Sequence, residues 1–146
     1  MRLTAVLVVV FALGSASGGQ DAVQKEMTQL EGEWSMVSGE SDGFALPAEM
    51  ARGGKRTAKD GMTTITMGGQ PYFKAKFTID PSKKPKTIDY AMTEGPTKGQ
   101  THLGIYELDG DTVKFCFAAP GKERPTDFTA KAGSTRTLSV WKRDKK

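Results

Sequence analysis

The sequence predicts an all-β domain, an antiparallel up-and-down β-barrel of about eight strands with a short N-terminal helix. From about Glu33 onwards, apolar residues alternate with polar ones over short segments, which is typical of strands with one face in a core. Gly, Pro and Asp-Gly pairs interrupt these segments at short intervals, and no long helix is available for a parallel crossover. Closure into a barrel is favoured because it removes exposed sheet edges.

The N-terminal segment 1–19, "MRLTAVLVVVFALGSASGG", has the pattern of a secretory signal peptide, with Arg2, an apolar run and a tail of small residues. The apolar run is shorter than the roughly 20 residues that span a bilayer. We expect cleavage between Ala16 and Gln20, and a single domain over residues 20–146. The only cysteine is Cys116, so a lipid anchor at the cleavage site is not expected. The predicted product is exported, periplasmic or extracellular, without a stable membrane anchor.

The charge and the cysteine content of the sequence narrow the classes of function and partner that are expected. Removal of Arg2 with the signal would lower the formal net charge from +4 to +3. The runs "SKKPK" and "WKRDKK" are typical of a solvated turn and a solvated chain end, so no nucleic-acid partner is indicated. A single cysteine cannot form an internal disulfide. Because Cys116 lies within the apolar run "VKFCFA", it is predicted to be a buried structural thiol.

The segment "DAVQKEMTQLEG" predicts a short amphipathic helix, since Val23, Met27 and Leu30 follow helical spacing, with Asp21 as N-cap and Gly32 as stop. The first strand follows as "EWSMVSGES". Pro47 suits the first turn of a brief helix or lid-like loop in "FALPAEMARGG".

Tight hairpins are predicted at Asp60-Gly61, Gly68-Gly69 and Asp109-Gly110. In the last strand, "TRTLSVWKR", Leu138 and Val140 are predicted to face the core. The alternation predicts an inward-facing apolar set that would line a ligand pocket: Phe73, Phe77, Ile88, Tyr90, Met92, Ile105, Val113, Phe115 and Phe117. These side chains would equally suit a filled core at native packing density, and the sequence leaves both alternatives open.

The run from Asp80 to Phe128, "DPSKKPKTIDYAMTEGPTKGQTHLGIYELDGDTVKFCFAAPGKERPTDF", resembles an uncharacterised secreted domain family first described in planctomycete bacteria. The "GEW" and "VWKR" segments fit that family too. The resemblance implies a lipocalin-like, exported protein and no established activity. Within the lipocalin pattern it implies that Gly32, Trp34 and Arg143 close one end of the barrel. There the arginine would lie over the indole in a cation–π contact of roughly 0.5–2 kcal/mol.

Two function hypotheses follow. The first is a module that binds a small apolar ligand inside the barrel. The second is an envelope-associated interaction protein with a filled core, which binds through the loops "DGFALPAEMARGG" and "APGKERPTDF" to an unidentified protein partner.

No catalytic residue, metal site or cofactor is predicted. Cys116 and His102 are the only such pair, and one His with one Cys does not form a typical zinc site. The acidic pairs Asp109 with Asp111 and Glu123 with Asp127 are typical of a turn and a polar loop. An enzyme is therefore not expected.

Overall fold

The computed structural model describes residues 17–145, which form a closed β-barrel with one helix at the N-terminus. Within that range the bounds are α1 (Ser17–Leu30), β1 (Gly32–Ser41), β2 (Phe44–Ala45), α2 (Ala48–Arg52), β3 (Gly54–Lys59), β4 (Met62–Met67), β5 (Gln70–Asp80), β6 (Lys86–Glu94), β7 (Thr101–Asp109), β8 (Thr112–Phe117) and β9 (Thr137–Arg143). The predicted signal peptide, 1–19, lies outside the described residues except for 17–19, which belong to α1. Neither described helix is long and apolar enough to cross a membrane.

The sheet closes on itself. Its strand order is β2-β1-β3-β4-β5-β6-β7-β8-β9, β1 also pairs with β9, and each pairing is antiparallel. Eight strands, β1 and β3–β9, make the barrel, while β2 is a two-residue addition beside the end of β1. The predicted all-β, up-and-down barrel of about eight strands is therefore confirmed.

Two of the predicted hairpins lie where expected. Asp60 and Gly61 have φ of 51° and 77°, and Gly68 and Gly69 have 60° and 79°, so each pair occupies the two left-handed positions of a type I′ turn. The third hairpin is displaced by one residue, because Asp109 pairs with Thr112. Its central residues are therefore 110 and 111.

Helix α1 covers one end of the barrel, which we call the lower end. Its C-terminal carbonyl groups accept hydrogen bonds from the first, third and last strands. The helix already includes Ser17, the first described residue, so Asp21 lies inside it and is not its N-cap, contrary to prediction. At the opposite, upper end, α2 packs beside β1, with Pro47 as its N-cap residue and Gly53 after its last turn.

Three residues face the opposite side from the one predicted. Tyr106 belongs to the barrel core, so its neighbour Ile105 lies on the outer face. On β9, Trp141 belongs to the core, which turns Leu138 and Val140 outwards. Both strands are apolar on both faces, so alternation alone does not fix their orientation.

The outer face is apolar there because the connection 118–136 folds over it. Between that connection and the strands lies a second layer of buried residues, with Ile105 and Cys116 from the strands and Ala118, Pro125 and Ala130 from the connection. The Gly43 amide donates to the Ala130 carbonyl over 2.6 Å, and Asp42 Oδ1 accepts from the amides of Gly133 and Thr135 over 2.8 and 2.9 Å. The connection is thereby fixed to the turn between β1 and β2.

Candidate ligand site in the barrel interior

The lower end of the barrel is closed by Trp34 and Arg143. Trp34 is fully buried, and Arg143 Cζ lies 4.2 Å from the centroid of its indole ring. Gly32 has φ of +106°, and a Cβ at that position would lie 3.4 Å from Arg143 Nη1. The structure thus brings together the three residues that the lipocalin pattern assigned to closure.

The same end is held by the last carbonyl groups of α1 and by that of Glu31, the residue after the helix. Arg143 donates from Nη1 to the Glu31 carbonyl over 2.9 Å and from Nη2 to the Gln29 carbonyl over 2.5 Å. Trp34 Nε1 donates to the Leu30 carbonyl over 3.2 Å. These carbonyl groups form the negative end of the helix dipole, and they have no partner within the helix. Cationic and N–H donors from the strands satisfy them.

Aromatic rings dominate the interior. Of the nine residues predicted to line it, eight belong to the barrel core or pack against it, and Ile105 does not. Tyr90 is the central ring: its centroid lies 4.3 Å from that of Phe117, 6.3 Å from that of Phe115 and 6.4 Å from that of Phe77. The core residues that the predicted set lacked include Ile65, Tyr106 and Trp141.

The lining is less buried towards the upper end. Five of the eight partly buried side chains that pack against the core lie there: Met36, Met67, Phe73, Met92 and Phe117. The other three, Met27, Ile79 and Leu108, lie near the lower end. Three of the five are methionines, whose unbranched side chains adapt to irregular or changing shapes. Partly buried lining is therefore more frequent at the upper end than at the lower end.

A glycine positions one of these rings. A Cβ on Gly104 would lie 2.4 Å from Phe117 Cδ1 and 2.9 Å from the Cys116 carbonyl oxygen. The Phe117 ring therefore rests directly on the backbone of β7, in a space that only glycine leaves free. This contact allows Phe117 to lie beside Tyr90.

An arginine lies inside the barrel. Arg56 is only 1% exposed, and its Cζ lies 5.0 Å from the ring centroid of Phe115 and 5.7 Å from that of Phe77. Its Nε donates to Tyr90 Oη over 3.4 Å, and its Nη1 donates to the Leu30 carbonyl over 2.9 Å. Its Nη2 has no hydrogen-bond partner, and no ion pair among residues 17–145 includes Arg56.

A second polar atom in the interior is also unpartnered. Thr63 is fully buried, and its Oγ1 makes no hydrogen bond. Thr63 pairs with Ala58 on β3 and with Ala75 on β5, and both alanines belong to the core. Because Arg56 and Ala58 are two residues apart on one strand, Arg56 and Thr63 face the same interior.

The sequence carried only a weak signal for Arg56. On β3, Gly54, Arg56 and Ala58 share one face, and Lys55 and Lys59 lie on the other. Two small residues beside the arginine are the only hint that this face is the buried one. The pairing of β3 with β1 and β4 decides the orientation, and sequence periodicity does not contain it.

A separate groove lies on the outer surface of the barrel. It has a volume of about 580 Å³, and Ile105, Pro125, Asp80, Lys83, Lys84 and Arg124 are among its lining residues. Arg124 Nη1 donates to Asp89 Oδ1 over 2.6 Å and to the Gly104 carbonyl over 2.8 Å. The groove is therefore a polar site at the edge of the connection 118–136, distinct from the interior.

The residues with chemical reactivity are engaged in structural contacts. Cys116 Sγ donates to the Thr129 carbonyl over 3.5 Å, and burial raises the pKa of its thiol. His102 Nδ1 donates to the Ala118 carbonyl over 3.0 Å, which leaves Nε2 to accept from Thr97 Oγ1 over 2.9 Å. His102 therefore does not serve Cys116 as a base.

The acidic pairs also have structural partners. Asp111 pairs with Arg143 over 3.3 Å, and Asp127 pairs with Arg136 over 3.0 Å. Within residues 17–145 there is no group of three or more His, Cys, Asp or Glu side chains that could hold a metal ion.

Fold and interior define a class of protein: a closed eight-stranded antiparallel barrel that is sealed at one end by a tryptophan and an arginine. No protein-family model, curated protein or solved structure matches this chain.

Proposed function

We propose that this protein is an exported, lipocalin-like binding protein, and not an enzyme, that takes a small apolar ligand into its barrel through the upper end. One observation carries the proposal: two polar atoms, Arg56 Nη2 and Thr63 Oγ1, lie without partners inside an otherwise apolar interior. Buried polar groups in the cores of folded proteins are nearly always hydrogen-bonded, because an unpaired group lowers the stability of the fold.

Three features support the upper end as the route. The lower end is covered by Trp34, Arg143 and α1, and five of the eight partly buried lining residues lie at the upper end. Methionines at that end suit a site whose shape changes on binding. The apolar, aromatic lining is typical of small-molecule sites. Export rests on the signal-like segment 1–19 and on the family resemblance over Asp80 to Phe128.

A neutral apolar fluorophore tests this function. We expect N-phenyl-1-naphthylamine to bind with saturable, one-to-one fluorescence enhancement. Met92→Trp would place a larger ring in the upper lining and weaken binding. Ala91→Trp is the matched control, because Ala91 is exposed on the opposite face of the same strand. No saturable signal in the wild-type protein, or equal losses in the two variants, would contradict the proposal.

A second candidate function is an interaction scaffold with a filled core. The 4.3 Å contact between the rings of Tyr90 and Phe117 favours it, since rings in contact leave little space between them. So does the exposure of Phe44 and Met50, at 78% and 57%, on the β2–α2 segment. Pull-down from exported material, with wild type compared to Phe44→Ser, tests it. Capture of the same partner by both proteins would exclude this segment as the binding surface.

A further inference from the structure

We infer that the ligand carries an anionic group of the carboxylate class, which pairs with Arg56 inside the barrel. The inference rests on the proposed function and names the chemistry that the interior would recognise. It follows from the partners that Arg56 has and from those that it lacks.

The positive charge of Arg56 is only partly compensated. Guanidinium groups remain protonated in proteins, and a buried cation is costly unless an anion or a full set of acceptors surrounds it. The Leu30 carbonyl accepts from Nη1, and the C-terminal end of α1 contributes about half an elementary charge. Two aromatic faces, of Phe77 and Phe115, contribute cation–π attraction. These contacts therefore leave part of the positive charge of the Arg56 guanidinium uncompensated.

The unsatisfied donor, Nη2 of Arg56, indicates which kind of ligand group would fit beside it. Nε and Nη1 already donate to Tyr90 Oη and to the Leu30 carbonyl, so both hydrogens of Nη2 are free. A carboxylate offers two acceptor oxygens and a full negative charge, which match a guanidinium edge. Thr63 Oγ1 provides a hydroxyl in the same interior. An ammonium head group would meet a like charge there, and a hydroxyl head group would leave the charge unpaired.

The path from the upper end sets the size of the apolar part. Phe73 lies at the partly exposed end of β5 and Phe77 lies beside the Arg56 guanidinium, and four strand residues span about 13 Å. A short alkyl chain would lie between Phe73, Met92 and Phe117, with its head group at Arg56. The fitting class is thus a short-chain carboxylate.

The test compares head groups on one chain. Octanoate, 1-octanol and octylammonium would be titrated against the wild-type protein by calorimetry and by displacement of N-phenyl-1-naphthylamine. A charge-assisted pair corresponds to an affinity ratio of roughly ten to a hundred. We expect octanoate to bind more tightly than 1-octanol by that ratio, and octylammonium to bind most weakly.

Variants assign the preference to one arginine. We expect Arg56→Met to remove the advantage of octanoate over 1-octanol and to retain binding of the fluorophore. Arg124→Met is the matched control, because Arg124 lies with Lys83 and Lys84 in the outer groove, the other cationic concavity described above. If the preference disappears in Arg124→Met and persists in Arg56→Met, the anion binds outside the barrel and the inference is overturned.

The remaining outcomes separate the two proposals. Binding of the fluorophore without head-group preference in the wild type would overturn the carboxylate inference and leave the apolar ligand site standing. Binding of neither fluorophore nor octyl compounds would overturn both. Should Arg56→Met fail to fold, Arg56→Lys replaces it, because lysine retains the charge but not the paired N–H edge. That variant and the wild-type head-group series then test the carboxylate inference.

Discussion

Arg143, at the end of the last strand, lies over the indole ring of Trp34, near the start of the first strand, with Cζ 4.2 Å from the ring centroid. The two strands are paired, with Trp34 directly opposite Arg143, so this contact lies at the seam where the barrel closes. It joins three elements, because both side chains also donate to carbonyl groups of α1.

Trp34→Ala is expected to destabilise the protein by about 3–5 kcal/mol, the range for truncation of a buried large aromatic side chain. Trp34 is fully enclosed, so its removal leaves a cavity under α1 as well as an unpaired Leu30 carbonyl lone pair. Urea unfolding followed by circular dichroism measures the loss. An unchanged unfolding midpoint would contradict the role of Trp34 as the closure of the lower end.

Arg143→Leu is expected to cost about 1–3 kcal/mol, because it removes the cation–π contact and the donors to the Gln29 and Glu31 carbonyls. A double-mutant cycle with Trp34→Ala isolates the contact between the two side chains. The expected coupling energy is about 0.5–2 kcal/mol. Strictly additive losses would show that the contact between the arginine and the indole ring contributes nothing to stability.

Gly104→Ala is expected to destabilise the barrel and to displace the Phe117 ring, because the new methyl group would lie 2.4 Å from Phe117 Cδ1. Overpacking of this kind costs about 1–3 kcal/mol. Gly39→Ala is the matched control in a strand, since its nearest neighbour, Leu46 Cδ2, is 3.4 Å away. Thermal unfolding compares the two, and equal melting temperatures would contradict close packing of Phe117 on the β7 backbone.

Cys116→Ser is expected to lower stability by about 1–3 kcal/mol, since it places a hydroxyl in the buried layer beneath the connection 118–136. Binding of the naphthylamine should be unchanged, because Cys116 faces away from the interior. Unfolding curves and fluorophore titration measure the two effects. Loss of binding in a fully folded Cys116→Ser protein would assign a functional role to the thiol.

Acid stability is expected to depend on Asp144. The hydrogen bond from Ser35 Oγ, with a further contribution from the Lys55 ammonium, lowers the pKa of this carboxyl group. A depressed folded-state pKa stabilises the protein above the unfolded pKa of about 3.9, and that stabilisation is lost as pH falls through the folded value.

Asp144→Asn should therefore lower stability at neutral pH and flatten its decline below about pH 4. Ser35→Ala, which removes the principal donor, should show part of the same change. Urea midpoints between pH 2 and 7 provide the measurement. Parallel acid profiles for wild type and Asp144→Asn would exclude this carboxylate as a source of acid sensitivity.

Local patterns in the sequence were sufficient to predict that the chain forms a barrel. Alternation in β5 and β8, the Asp-Gly pair at 60–61 and the Gly-Gly pair at 68–69 depend on neighbours along the chain, and they predicted strands and turns correctly. Alternation failed on β7 and β9, where Ile105, Leu138 and Val140 face outwards. There the connection 118–136 buries the outer face as well, so apolar residues occur on both sides.

The sequence by itself determined the fold class and two of the three tight turns, while the residues of the closed end were implied only by a family resemblance. Tertiary structure alone decided the polar content of the interior, because strand pairing places Arg56 and Thr63 inside the barrel beside the aromatic rings. In the sequence, a charged residue in a mostly polar strand such as β3 is indistinguishable from a solvated one until the paired strands are known. Its burial is a property of the closed sheet, in which residues distant along the chain surround one guanidinium group.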